Sequence, residues 1–241
     1  MKLDVALPYF VTEPKQFHEV VRALDSVSKN VNKIWAIDGR YKEFTHDRDY
    51  SIDGVNGSLI NRYPNIEIIK LCANQQEKRQ AYLDASDAEY LLVLDSDDYV
   101  HYGYSNWNKF YGELQEVYDE PELLYFLWYY VDPEWNTNNN PVTPNTWQKW
   151  IRIHKHPSKQ KYYMNHYTWR LKEDNSVNLN SLKAKKTLSG IKLTADSKYR
   201  SEDFKQRSAE WVKKNWEIEQ GKAWVAFNKL EALSNVVFPK K

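Results

Sequence analysis

Residues 65–100 read NIEIIKLCANQQEKRQAYLDASDAEYLLVLDSDDYV. Asn65–Leu71 has the pattern of a strand, and Asn74 is placed to cap a helix that runs through Ala81, Leu83 and Ala85. Glu89–Leu94 is a short apolar run that stops at Asp95, as a buried strand would. Strand, helix and strand in this order form a βαβ unit, which implies a parallel pair. The alternation continues upstream. Lys2–Pro8 is a short apolar run cut by proline, and Thr12 followed by Glu13-Pro14 opens a helix through Val20, Val21, Leu24 and Val27. Lys33–Asp38 is another strand, ended by Gly39. The expected class is α/β, a Rossmann-like, mostly parallel sheet flanked by helices. Such sheets bind ligands beyond the carboxyl ends of their strands. Three of the four strands end on Pro8-Tyr9, Asp38-Gly39 and Asp95-Ser96-Asp97-Asp98.

Downstream the pattern predicts a helix over Trp107–Tyr118 and an aromatic strand over Leu123–Val131. Asp132–Thr146, rich in Asn and Pro, reads as a loop. Trp147–His154 and Tyr162–Leu171 read as strands facing each other across a His-Pro-Ser turn. Helices are expected over Ser197–Glu219 and Ala223–Leu233. No internal repeat or linker divides the chain, so one domain over 1–241 is expected, with a smaller mixed subregion and C-terminal helices after residue 100.

At 41% hydrophobic residues, the 241-residue chain can fill a core, which excludes disordered and fibrous classes. The net charge of +1 conceals an imbalance. Residues 1–148 hold 13 Lys and Arg against 24 Asp and Glu, a net −11; the remainder holds 21 against 9, a net +12. One cysteine, Cys72, can form neither an internal disulfide nor a structural zinc site. No apolar run is long enough for a signal peptide or a membrane span. The expected location is the cytoplasm, or the host cytoplasm for a viral chain.

Three carboxylates within Asp95-Ser96-Asp97-Asp98 repel one another unless a cation neutralises them, and hard oxygen ligands suit Mg²⁺ or Mn²⁺. With seven glycines and neither GxGxxG nor GxxxxGK[ST], the chain lacks the glycine-rich phosphate cradles. A bound diphosphate would be neutralised by a metal and by Lys78 or Arg79 instead.

The segment 65–100 resembles family-2 glycosyltransferases of the GT-A fold, which share its strand, Asn-containing turn, Ala-rich helix and acidic strand end. LPYF near the start and WAIDG at the second strand end are similar to further elements of that family. The resemblance implies a metal-dependent transferase that moves a sugar from a UDP- or GDP-sugar to an acceptor hydroxyl on a glycan, a protein or a modified nucleobase. Residues 1–100 would hold the donor and 101–241 the acceptor. By position, Pro8 and Tyr9 would border the base, and Asp38 would bind the base or ribose. Asp95, Ser96 and Arg79 (or Lys78) would meet the nucleotide sugar. Asp97 would bind Mn²⁺ or Mg²⁺, with Asp98 supporting through water. WIRIHKHPSKQKYYMNHYTW is similar to a segment whose late histidine completes the metal shell, which makes His166 the second ligand. Gly39-Arg40-Tyr41 departs from the family's Asp-x-Ser turn.

An inverting reaction needs a carboxylate base beside the acceptor hydroxyl, and a retaining one does not. Asp132 is the first candidate and Glu134 the second; Glu202-Asp203 echoes a family motif, but helix capping also explains it. Trp128, Tyr129, Trp135 and Trp147 gather around the Asn/Pro-rich loop, where exposed rings would stack on sugars or bases. Lys183, Lys185, Lys186, Lys192, Lys198 and Arg200 would attract an anionic acceptor if they form a stripe. Two other classes fit the same residues. One is a metal-dependent phosphoryl or nucleotidyl transferase, and the other a glycan- or nucleic-acid-binding module with a structural cation.

Overall fold

The computed structural model describes residues 1–130, 147–164, 168–172, 178–180 and 186–195. Its elements in chain order begin with β1 (Leu3–Tyr9), α1 (Pro14–Val27), β2 (Lys33–Asp38), α2 (Val55–Arg62), β3 (Ile66–Lys70), α3 (Gln75–Ala85) and β4 (Tyr90–Val93). They continue with β5 (Asp98–Val100), α4 (Trp107–Glu116), β6 (Leu124–Tyr130) and β7 (Trp147–Lys155). The last are β8 (Gln160–Met164), β9 (Thr168–Leu171), β10 (Asn178–Asn180) and β11 (Thr187–Ala195).

The βαβ reading holds over the first hundred residues. β3, β2, β1 and β4 lie side by side and parallel. The sheet then continues β7-β6-β11-β5, eight strands among the described residues, and only β7 and β5 run against the common direction. The carboxyl ends of β1, β2, β4, β6 and β11 therefore share one edge with the first residues of β5 and β7. Both helix starts expected upstream are present. Pro14 opens α1, where its missing N–H costs nothing. Asn74 accepts from the Glu77 N–H at the start of α3, with Glu77 returning the contact.

Alternation along the strands divides the core. One face packs Val20, Leu24 and Val27 of α1 and Phe110 and Leu114 of α4 against Val5, Leu92, Tyr125 and Leu127. The other packs Tyr82 and Leu83 of α3 against Ala6, Ile37, Leu91 and Val93.

The expected pairing of Trp147–His154 with Tyr162–Leu171 is not what forms. β7 inserts between β4 and β6, while β8 and β9 pair with each other, antiparallel. His156 at φ 51° and the 3-10 turn Pro157–Lys159 turn the chain out of the large sheet. β8 lies instead along α3, where the Gln80 side chain accepts from the Tyr162 N–H at 2.8 Å. α2 and β5 had no signal in the sequence pattern. No helix among the described residues is long and apolar enough to cross a membrane.

Candidate active site

The acidic turn after β4 sits at the carboxyl edge, as expected, but its charges are met by arginine. Asp98 is 1% exposed. It accepts from the Tyr129 hydroxyl at 2.6 Å and pairs with Arg152 at 2.8 Å. The backbone N–H of Asp95 also donates to it, at 3.0 Å. Arg152 reaches Asp95 as well, at 3.0 Å, and the Arg79 guanidinium lies 3.9 Å from the other oxygen of Asp95. The result is an alternating row, Asp98, Arg152, Asp95, Arg79, in which each charge faces its opposite. Burial pushes the Asp98 carboxyl up to about 6 against the pull of Arg152. Burial also opposes the charge on Arg152, but Asp98 and Asp95 outweigh it and raise its pKa.

Arg152 owes its place to a β-bulge. β6 and β7 pair Tyr125 with Ile153 and Phe126 with Ile151, so Arg152 is the extra residue between them. A bulge re-aims a side chain that regular pleating would send elsewhere. Here the guanidinium lies over both Tyr129 and Trp150, whose rings stack at 4.7 Å. The sequence reading missed Arg152 entirely. The available signal was a charged residue between Ile151 and Ile153 in an otherwise apolar strand.

Of the residues expected to face a base, Pro8 and Tyr9 are buried in β1, and the Tyr9 hydroxyl donates to Asn56 at 2.6 Å. Asp38 was expected at the base or ribose. It is fully buried, and its carboxylate accepts from the Ser51 hydroxyl at 2.6 Å, the Ser51 N–H at 3.1 Å and Asn56 at 2.8 Å. These contacts tie the end of β2 to Ser51 and to Asn56 of α2. The turn that departs from the family pattern has a steric reason. Gly39 sits at φ 146°, and a Cβ there would lie 2.6 Å from the Leu71 carbonyl oxygen. Lys78, expected as an alternative to Arg79, is buried; its ammonium donates to the Gly39 carbonyl and lies 4.4 Å from the Tyr41 ring centre. Burial pulls it down to about 8.

Asp95, with a side chain 38% exposed, and the half-buried Ser96 are therefore the members of the turn that open toward solvent. Asp97 is 7% exposed. Among the described residues no group of three or more His, Cys, Asp or Glu is gathered to hold a metal. Both oxygens of Asp98 and both of Asp95 are already turned to donors or guanidiniums. His166, Asp132, Glu134, Trp135, Glu202, Asp203, Lys183, Lys185, Lys198 and Arg200 lie outside the described residues. Within the expected basic stripe, Lys186 pairs with Glu120 at 2.8 Å, and Lys192 lies over aromatic rings.

No protein-family model matches the sequence. No curated protein matches it. Among solved structures the chain is similar to S. aureus TarS 1-349, at 17% identity and a TM-score of 0.40, with 60% of this chain and 39% of that chain covered. It is likewise similar to TarS 1-349 in complex with UDP-GlcNAc, at 17% identity and a TM-score of 0.40 over 59% and 37% of the two chains. The chain thus spans well under half the length of these two structures.

Proposed function

We propose that the protein is a glycosyltransferase that takes its sugar from a nucleoside-diphosphate sugar and passes it to an acceptor hydroxyl. The observation that carries this reading is the part-exposed Asp95, held between Arg152 and Arg79 at the carboxyl edge of a mostly parallel sheet. Asp95 would accept a hydrogen bond from a hydroxyl of the donor. Arg152, locked by Asp98 and Tyr129, would fix its orientation, so that no reorganisation accompanies the reaction. Arg79 on α3 would supply positive charge on the side where the diphosphate departs. A divalent cation, Mn²⁺ or Mg²⁺, belongs to the proposal as a partner of that diphosphate, with Asp97 and His166 as the protein ligands. When bound it would neutralise the leaving group.

The test is thermal unfolding of the full chain with UDP or GDP, each with and without Mn²⁺. At least one nucleotide should raise the midpoint in the presence of Mn²⁺, and Asp97→Ala should abolish the Mn²⁺-dependent part. Indifference to both nucleotides under both conditions would overturn the reading.

A further inference from the structure

Beyond the arginine row, the sheet carries aromatic rings that its core does not use. Leu124 and Phe126 of β6 belong to the cluster packed against α3, and alternation puts Trp128 and Tyr130 on the same face. Tyr125, Leu127 and Tyr129 on the opposite face are buried, whereas Phe126, Trp128 and Tyr130 are each only half-buried. Trp147 pairs with Tyr130 across β6 and β7, with ring centres 5.3 Å apart at 56°. Tyr104 meets Trp147 edge-on at 5.6 Å. Tyr104 is 58% exposed and Tyr102 is 72% exposed. Both belong to one 3-10 turn, closed where His101 Nδ1 accepts from the Gly103 N–H at 3.1 Å. Two lysines complete the group. Lys192 lies 4.8 Å from the Trp147 ring centre and 5.4 Å from that of Tyr104, and Lys149 lies 5.0 Å from Trp128.

A side chain costs free energy when it holds a large apolar ring in water, and several gathered rings beside a ligand crevice mark a binding surface. The two ammoniums bring positive charge to the group, which favours a partner that carries negative charge. Single-stranded nucleic acid also stacks on rings, but each base needs a clear face and each phosphate a cation along a continuous groove. Here the rings meet at steep angles, and the two lysines lie over ring faces. The C–H face of a sugar needs only part of a ring, so this arrangement suits sugars better.

We infer that Tyr104, Trp147, Tyr130 and Trp128, with Lys149 and Lys192, form a platform for a carbohydrate acceptor, and that it holds an anionic glycan more tightly than a neutral one. The assignment deepens the transferase reading and rests on it for the word acceptor. The full chain should be titrated calorimetrically with chitohexaose, cellohexaose, a heparin hexasaccharide and a thymidine hexanucleotide. At least one oligosaccharide should bind, the heparin fragment most tightly. Tyr104→Ala, in an exposed turn, should weaken that binding tenfold or more and leave UDP or GDP binding unchanged. Lack of binding by all three oligosaccharides, or equal binding by Tyr104→Ala, would overturn the inference. So would tightest binding of the hexanucleotide. If oligosaccharides bind and no nucleotide does, the transferase reading falls while the platform stands as a carbohydrate-binding surface.

Discussion

Arg152 and Asp98 are 4% and 1% exposed, so neither can exchange its partner for water. Removing one partner of such a pair leaves a buried charge uncompensated, at a cost of about 3–5 kcal/mol, whereas replacing both is far milder. Arg152→Met should accordingly lower stability by roughly that amount. Adding Asp98→Asn should recover much of it, because the amide still accepts from Tyr129. Urea unfolding of the two variants measures this directly. A loss below about 1 kcal/mol for the single variant would mean that the row is not what holds the turn. Asp95, more exposed, is expected to contribute less to stability and more to ligand contact. In the sequence the acidic turn was legible because three aspartates end an apolar run. Its partner was not, since Arg152 lies more than fifty residues away and reaches the turn through a bulge that no periodicity announces.

Elements whose stability is local could be read from the chain, and those defined by distant pairing could not. Pro14 and Asn74 carry their helix starts with them, and Lys33–Asp38 is a strand in both descriptions. α2 begins at Gly54 in a left-handed conformation, with no capping side chain, and so left no signal. β5 is three residues long and exists because β11 pairs with it. β11 itself depends on a close approach. At its bulge the Glu113 carboxylate accepts from the Ser189 N–H and the Gly190 N–H, both at 2.8 Å, and from the Ser189 hydroxyl at 2.6 Å. A Cβ on Gly190 would lie 2.3 Å from the backbone nitrogen of Phe110, and backbone cannot rotate aside as a side chain can. Gly190→Ala must therefore push α4 off the sheet, at an expected cost of about 1–3 kcal/mol. A thermal-unfolding midpoint equal to that of the unmodified chain would show that α4 yields without penalty.

Across the whole molecule, sequence and structure agree on the side of the sheet that carries the acidic turn, because the parallel strands share one carboxyl edge. What the sequence did not show is that Arg152 of β7 meets the acidic turn beside Arg79 of α3, because the two come from distant parts of the chain. The same insertion of β7 buries His154, at 1% exposure, beside the fully buried Gln160. The Gln160 amide group donates to the Lys155 carbonyl at 2.7 Å, which leaves its oxygen to accept from His154 Nδ1 at 2.7 Å. That bond favours the charged ring, but burial outweighs it, pulls His154 down to about 4 and keeps it neutral. An unfolded histidine titrates near 6.5, so between about 6.5 and 4 the unfolded chain takes up a proton that the folded chain refuses. This stability is fully present above about 6.5 and is lost as pH falls, by about 3 kcal/mol at pH 4. Asp98 acts in the opposite sense. Its folded pKa, about 6, lies above the ordinary carboxylate value, so acidification from about 6 toward 4 adds stability. The unmodified chain reports the sum of the two, and a variant separates them. His154→Gln cannot titrate, so on acidification it should gain on the unmodified chain, approaching about 3 kcal/mol at pH 4 relative to the difference at pH 7. Urea unfolding of both proteins at pH 7, 5.5 and 4 measures the gap. Parallel curves would mean that His154 accepts its proton in the folded chain, and that the contact between β7 and Gln160 opens to water.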